Sequence, residues 1–366
     1  MIYFDSGATT LQKPKAVQAA VRTAMRRLAS PGRGGYRPAM EAAEAVYDCR
    51  LAAAALFDAA PEQVVFTMNA THGLNLAIKT LVRPGDAVVI SGFEHNSVTR
   101  PLHHLGAAVT VAGERLFDPD DTLAAFDRAV TRDTKAVVCT HVSNVFGYLL
   151  PAEKIAALCR ERGVPFILDA SQSAGVLPVS LRELGAAFVA MPGHKGLYGP
   201  QGTGLLLCGR KPRTLLEGGS GSLSKSPEMP DFLPDLAEAG TQNTAGICGL
   251  AEGLRFVAER GPERLLRHEC ALRKTLSAGL AALPGTRIFE GGESQTGVLS
   301  FLCGDEDCER TAERLAAQGV CVRAGLHCAP CAHESAKTLE TGTVRVSFSA
   351  FSTEKEVLRF LRVLKK

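Results

Sequence analysis

Between residues 60 and 210 the chain repeats one pattern, a short and almost wholly apolar run followed by an amphipathic stretch. The apolar runs fall at 63–67, 87–91, 107–111, 136–140, 165–169, 187–191 and 204–208, and helical periodicity fills intervals such as 71–81, 121–129 and 152–162. A strand that is apolar along its whole length must be covered on both faces. Strands of that kind joined by helices specify an α/β fold built on a mainly parallel, seven-stranded sheet. In such a sheet the ligand lies beyond the carboxyl ends of the strands, so functional residues should follow the apolar runs.

The remainder reads differently. Residues 211–246 are rich in Gly, Ser and Pro and form a long irregular excursion, a length of loop that is usually functional or flexible. Two helical patterns follow to about residue 283. Strand-like runs at 286–289, 297–302, 320–323 and 343–348 then alternate with helices at 308–318 and 353–365. The expected division is a large domain at 15–247 and a smaller α+β domain at 248–366, with the N-terminal arm 1–14 packed on the latter. At 366 residues and 46% hydrophobic, the chain can bury cores of that size.

The net charge is only +3, with no basic stripe interleaved with aromatics, so no nucleic-acid partner is expected. The opening MIYFDSGATT lacks a secretory pattern, and no apolar run reaches the roughly 18 residues that span a bilayer. A cytoplasmic protein without a membrane partner is the expectation. Eleven cysteines are scattered without the spacing of a disulfide framework and read as small buried hydrophobes. The stretch from Gly325 to His333 differs. Cys328 and Cys331 sit there among His, Pro and Ala, which predicts an exposed loop.

Three segments carry chemistry. Asp169 closes the apolar run 165–169, where a carboxylate needs a partner; Gln172 three residues on also permits a helix cap. Lys195 follows the run 187–191 among glycines, where a lysine is either solvated or a nucleophile. Together the two are what pyridoxal phosphate needs, a Schiff-base amine and an acid for its pyridine nitrogen. Residues 68–73 open an amphipathic helix, whose free N–H groups and Thr71 hydroxyl suit a phosphate or serve as an ordinary cap. His95 and Asn144 also follow apolar runs, placed to stack on a ring and to bond its phenolic oxygen.

The ordered series Asn69-Ala70-Thr71, Glu94-His95-Asn96, His141-Val142-Ser143-Asn144, Asp169-Ala170-Ser171-Gln172, Gly193-His194-Lys195 and Arg323-Ala324-Gly325-Leu326-His327-Cys328 resembles the cysteine desulfurase and selenocysteine lyase family. That family is a class V aminotransferase-like branch of the fold-type I pyridoxal-phosphate enzymes, and the nearest likeness is to its group II. The resemblance spans nearly the whole chain, from Phe4-Asp5-Ser6-Gly7-Ala8-Thr9-Thr10 to Arg345-Val346-Ser347. It implies pyridoxal 5'-phosphate as cofactor, Lys195 as the lysine bonded to it and Asp169 as partner of the pyridine nitrogen. His95 would stack on the ring and move protons, and Asn144 and Gln172 would contact the phenolic oxygen. Thr71, Ala70, His194 and Ser171 or a neighbour would serve the phosphate. Thr241 would reach the other subunit's phosphate, which implies a homodimer. Arg345, with Ala8 and Asn144, would hold the carboxylate of L-cysteine, and Cys328 would take its sulfur as a persulfide for a sulfur-acceptor protein.

The sequence departs from the pattern at three places. Ala70 replaces a common second hydroxyl, Gly196 adds a residue after Lys195, and Ser352 stands where relatives often carry Asn. Cys331 is a further surprise. Cys328-x-x-Cys331 with His327 and His333 suggests zinc, but no second Cys pair of matching spacing exists, and no metal is expected. A redox or persulfide-resolving role for Cys331 rests on the lowered pKa of CxxC thiols; an idle thiol is the alternative. The rival activities are selenocysteine cleavage, a kynureninase-like or aminotransferase reaction on the same scaffold, and non-catalytic sulfur or metal carriage by the CxxC loop.

Overall fold

The computed structural model describes residues 1–32 and 34–365. Strand β1 (Ile2–Tyr3) lies in the N-terminal arm. The strands β2 (Val64–Thr67), β3 (Ala87–Ser91), β4 (Ala108–Ala112), β5 (Thr134–Thr140), β6 (Phe166–Asp169), β7 (Phe188–Pro192) and β8 (Gly204–Cys208) form one sheet. Their spatial order is β2-β8-β7-β6-β5-β3-β4. Within it β8 opposes the others, pairing antiparallel with β2 and β7, while β7, β6, β5, β3 and β4 pair in parallel. The seven apolar runs are thus the seven strands of a mainly parallel sheet.

Successive residues of these strands face opposite sides and enter two separate cores. Val89, Val137, Leu168 and Met191 join one, with Cys49, Ile155 and Leu250 from the helices Arg37–Leu56, Ala152–Glu161 and Thr244–Arg260. Ile90, Val138, Ile167 and Ala190 join the other, with Leu74 and Leu102 from the helices Ala70–Leu81 and Asn96–Leu105. Covering on both faces is what leaves β2, β6, β7 and β8 buried at every residue. The strand β4 departs from this: it ends the sheet, and residues 108–111 are exposed.

The other edge, β2, is closed by side chains. Glu238, from a stretch without helix or strand between β8 and Thr244, accepts the Phe66 N–H at 2.7 Å and both terminal nitrogens of Arg50 at 2.9 Å. Arg50 also donates to the Val64 carbonyl. A buried, bidentate ion pair thus satisfies edge groups that would otherwise pair with another chain, and it anchors the irregular segment.

A second sheet contains β9 (Thr286–Phe289), β10 (Val298–Cys303), β12 (Arg323–Gly325) and β13 (Thr343–Ser347) in the antiparallel order β12-β13-β10-β9. The single run at 320–323 in the sequence is two elements. Val320–Cys321 (β11) pairs in parallel with β1, whereas β12 pairs with β13, because the chain changes partner between them. Ile2 and Phe4 share a core with Leu299, Phe301 and Phe360, and the Phe4 and Phe348 rings meet edge to face at 4.9 Å. The arm is therefore built into this second layer. Among the described residues no helix is long and apolar enough to cross a membrane.

Glu269, on the helix Pro262–Ala281, is buried against Gly297, and burial pushes its carboxyl up to about 8. Folding therefore favours the protonated form. Between the unfolded value, about 4.5, and 8, stability is lost as pH rises, by at most roughly 1.4 kcal/mol for each pH unit crossed. Glu269→Gln is expected to remove that slope. Denaturant unfolding of parent and variant at pH 5 and pH 8 tests it: the variant's relative stability should grow by a few kcal/mol, and an unchanged difference would refute the burial argument.

Candidate active site

All strands of the large sheet except β8 point the same way, so their carboxyl ends open on one side. Asn69, Ala70 and Thr71 follow β2; His95 and Ser97 follow β3; Thr140, the last residue of β5, precedes Val142 and Asn144. Asp169 ends β6, Ser171 and Gln172 follow it, and Pro192 of β7 precedes His194 and Lys195. One pocket is lined by all of them. The structure thus brings together Thr71, Ala70, His95, Asn144, Asp169, Ser171, Gln172, His194 and Lys195.

The Lys195 amine has no hydrogen-bond or ion-pair partner among the described residues. Burial lowers its pKa to about 8, opposed in part by Asp169. Asp169 accepts the Ser171 N–H at 2.9 Å and the Ser171 hydroxyl at 2.5 Å through the same oxygen, Oδ1. His95 caps the helix Asn96–Leu105, its Nδ1 accepting the Ser97 N–H at 3.0 Å, which puts the ring proton on Nε2. Burial, partly offset by Asp169, lowers this imidazole to about 4, so the ring is neutral at physiological pH. His194 is lowered to about 4 by burial and by Lys195 and Lys13, and its Nδ1 is buried with no partner.

The helix Ala70–Leu81 is capped by the Asn69 side chain, which accepts the His72 N–H at 2.9 Å. The N–H groups of Ala70 and Thr71 have no acceptor within the helix and lie at its positive end. Thr71 and Ser97 share a hydroxyl hydrogen bond at 2.7 Å beside them. Donors without an acceptor in the helix, the helix dipole and the His194 nitrogen line one pocket, an arrangement that suits an anion. Gly196, the added residue after Lys195, is also a steric necessity: a Cβ there would lie 2.4 Å from the Ala174 carbonyl oxygen.

The arm and the second sheet close the site. Thr10 N donates to the His194 carbonyl at 3.1 Å, and Lys13 Nζ donates to the same oxygen at 3.0 Å. Gln172 Nε2 donates to the Gly7 carbonyl at 2.9 Å, which seats Ala8 and its neighbours against the site. Arg345, buried on β13, donates to Asp5 Oδ1 at 2.7 Å and to the Asn144 carbonyl at 2.8 Å, leaving Nε buried without a partner. The Ser352 hydroxyl accepts the Ser349 N–H at 3.1 Å, a local turn contact.

Cys328 is exposed, as the sequence predicts, but the loop around it is only partly so. His327 and His333 are buried, their imidazoles stacked, and Pro330–Ser335 is a short helix. Asn144 Nδ2 donates to the His327 carbonyl at 2.8 Å and ties this loop to the pocket. The Cys331 thiol is pushed up to about 11 by burial and by Glu334, Glu94 and Glu114, opposite to the lowered value on which a CxxC redox role relies. Among the described residues no group of three or more His, Cys, Asp or Glu is arranged to hold a metal.

Thr241 lies outside the pocket of its own chain; it is exposed and lines a separate hollow with Met68, His72 and Glu238. Sequence reasoning missed Asp5, Lys13 and Ser97. Ser97 was findable, as a hydroxyl two residues beyond His95 in a helix start. Asp5 and Lys13 carry no local signal, since each acts through a contact some 180 or more residues away.

Comparison with known proteins shows the family to which the chain is similar. A model of the family described as "Aminotransferase class-V" matches residues 2–360. A probable cysteine desulfurase of Methanothermobacter thermautotrophicus is 32% identical over 97% of this chain and 92% of its own. One from Xylella fastidiosa is 33% identical over 100% of this chain and 90% of its own. The apo cysteine desulfurase of Thermococcus onnurineus NA1 superposes with a TM-score of 0.90 at 30% identity, covering 100% of this chain and 94% of its own.

Proposed function

The chain belongs to the aminotransferase class-V family, and from that premise we propose that it is a cysteine desulfurase, moving the sulfur of L-cysteine onto Cys328 and releasing L-alanine. The single observation that carries the reading is the Lys195 amine, without a hydrogen-bond or ion-pair partner among the described residues, in one pocket with Asp169 and the orphan nitrogen of His194. Pyridoxal 5'-phosphate is the cofactor these groups fit; when bound, it supplies an electron sink for the pair left by the α-proton.

Each side chain then has a task. Lys195 would hold the cofactor covalently and serve as the base for the substrate α-proton. Asp169 would pair with the pyridine nitrogen, and the neutral His95 ring would stack on the cofactor. The N–H groups of Ala70 and Thr71, the Thr71 hydroxyl and His194 would hold the phosphate. Asn144 and Gln172, which line the pocket, would contact the phenolic oxygen. Arg345, anchored by Asp5, would bind the substrate carboxylate beside Ala8 and Asn144, its buried Nε having no partner among the described residues. Cys328 attacks the substrate sulfur: an S–S bond forms, the C–S bond breaks, and its electron pair stays with the three-carbon fragment, which is protonated to alanine. The persulfide passes to an acceptor protein.

The enzyme works as a homodimer, with Thr241 serving the partner subunit's phosphate, and as two domains, 15–247 and 248–366 with the arm. Its cysteines, free among the described residues, suit the reducing cytoplasm. Incubating the cofactor-loaded protein with L-cysteine and a thiol reductant should yield alanine and sulfide in equal amounts. Alanine from L-selenocysteine but none from L-cysteine would instead make it a selenium-specific lyase.

A further inference from the structure

His327 and Cys328 are consecutive non-glycine residues with left-handed backbone, at φ 52° and 56°. A side chain with a Cβ disfavours that conformation, which persists only where the surroundings over-determine it. On one side the restraints come from the pocket: Asn96 N donates to the Cys328 carbonyl at 2.8 Å, and Asn144 Nδ2 to the His327 carbonyl. The turn also closes on itself, Ala329 N donating to the Leu326 carbonyl at 2.9 Å.

On the other side stands a row of buried groups that no step of the reaction uses. His327 Nε2 lies 3.4 Å from the Arg323 carbonyl, His327 Nδ1 lies 3.5 Å from His333 Nε2, and His333 Nδ1 lies 2.8 Å from the Thr338 hydroxyl. The two rings are within 8° of parallel, and Phe146 packs on His333 at 5.8 Å. A carbonyl only accepts, so His327 Nε2 carries the hydrogen. In a neutral ring Nδ1 then accepts, so His333 Nε2 donates to it, and the Thr338 hydroxyl donates to His333 Nδ1. Burial keeps both rings neutral, lowering His333 to about 4 and His327 well below its ordinary range. Every donor therefore points one way, from Thr338 to β12, beneath the exposed thiol.

We propose that His327, His333 and Thr338 form a brace that fixes the left-handed turn and thereby aims the Cys328 thiol, making them positioning residues for sulfur transfer. The proposal rests on the reading of Cys328 as the sulfur acceptor in catalysis. It assigns a role to Thr338, which lies ten residues from the thiol and outside the pocket.

The test uses the cofactor-loaded enzyme and three substitutions. Thr338→Val keeps the shape and removes the donor; Thr338→Ser keeps the donor; His333→Phe keeps a ring against Phe146 and removes the row. The readouts are Cys328 persulfide formed in a single turnover, the rate of Cys328 alkylation by iodoacetamide, KM for cysteine, the cofactor absorbance and the melting temperature. Thr338→Val and His333→Phe should slow persulfide formation about tenfold, since small misplacements of a reacting group are costly. Alkylation should change severalfold, with KM and cofactor absorbance near those of the parent, and Thr338→Ser should restore parental values. Parental persulfide and alkylation rates in Thr338→Val would overturn the brace. So would a Thr338→Ser as slow as Thr338→Val, or a loss shared equally by cofactor binding and melting temperature. A parallel Cys328→Ala separates the two ideas: if it still desulfurates cysteine, the relay reading fails, while alkylation of the Thr338 variants still judges the brace.

Discussion

Replacing Lys195 with alanine is expected to reduce alanine formation from L-cysteine by roughly 10³-fold or more, because one substitution removes both the covalent anchor and the base. The loss is not expected to come from unfolding. The amine makes no hydrogen bond or ion pair among the described residues, and its pKa, lowered to about 8 by burial, shows that the fold disfavours its charge. Removing it removes a cost rather than a contact. Alanine release and the visible absorbance of the bound cofactor should therefore collapse while the melting temperature of the cofactor-free protein holds or rises. Activity within tenfold of the parent would assign the chemistry to another group.

Replacing Cys328 with alanine is expected to abolish sulfur removal from cysteine, a loss of about 10²-fold or more, while sparing cleavage of selenocysteine, whose weaker C–Se bond does not require a thiol. The turn should survive. Its hydrogen bond from Asn96 reaches the Cys328 carbonyl, and the exposed thiol packs into no core. Cys331 is no substitute, since with a pKa of about 11 almost none of it is thiolate near neutrality. Alanine assays with both amino acids decide the matter. Full cysteine turnover in this variant would show that sulfur leaves without passing through Cys328.

Much of this was legible in the chain itself. The seven strands were readable because each is apolar on both faces, a pattern that only a doubly covered sheet tolerates. The pocket residues were readable because a parallel sheet exposes its functional groups after its strands, and Thr71, His95, Asn144, Asp169 and Lys195 all stand there. Local pattern failed at β4, where an apolar run became an exposed edge, and at 320–325, where one run became two strands with different partners. It failed too at the cysteine loop, which is rich in small and polar residues yet half buried around His327 and His333.

Fold class and the set of groups gathered at the strand ends are written in the chain, because both follow from period and order along it. Tertiary structure alone decided the rest. It gave Arg345 its anchor in Asp5, drew Lys13 to the His194 carbonyl, closed the β2 edge with Arg50 and Glu238, and lined Thr338, His333 and His327 beneath Cys328. The physical reason is the same in each case. A buried polar group must find a partner, and the fold, not the neighbouring residues, determines which one lies within reach.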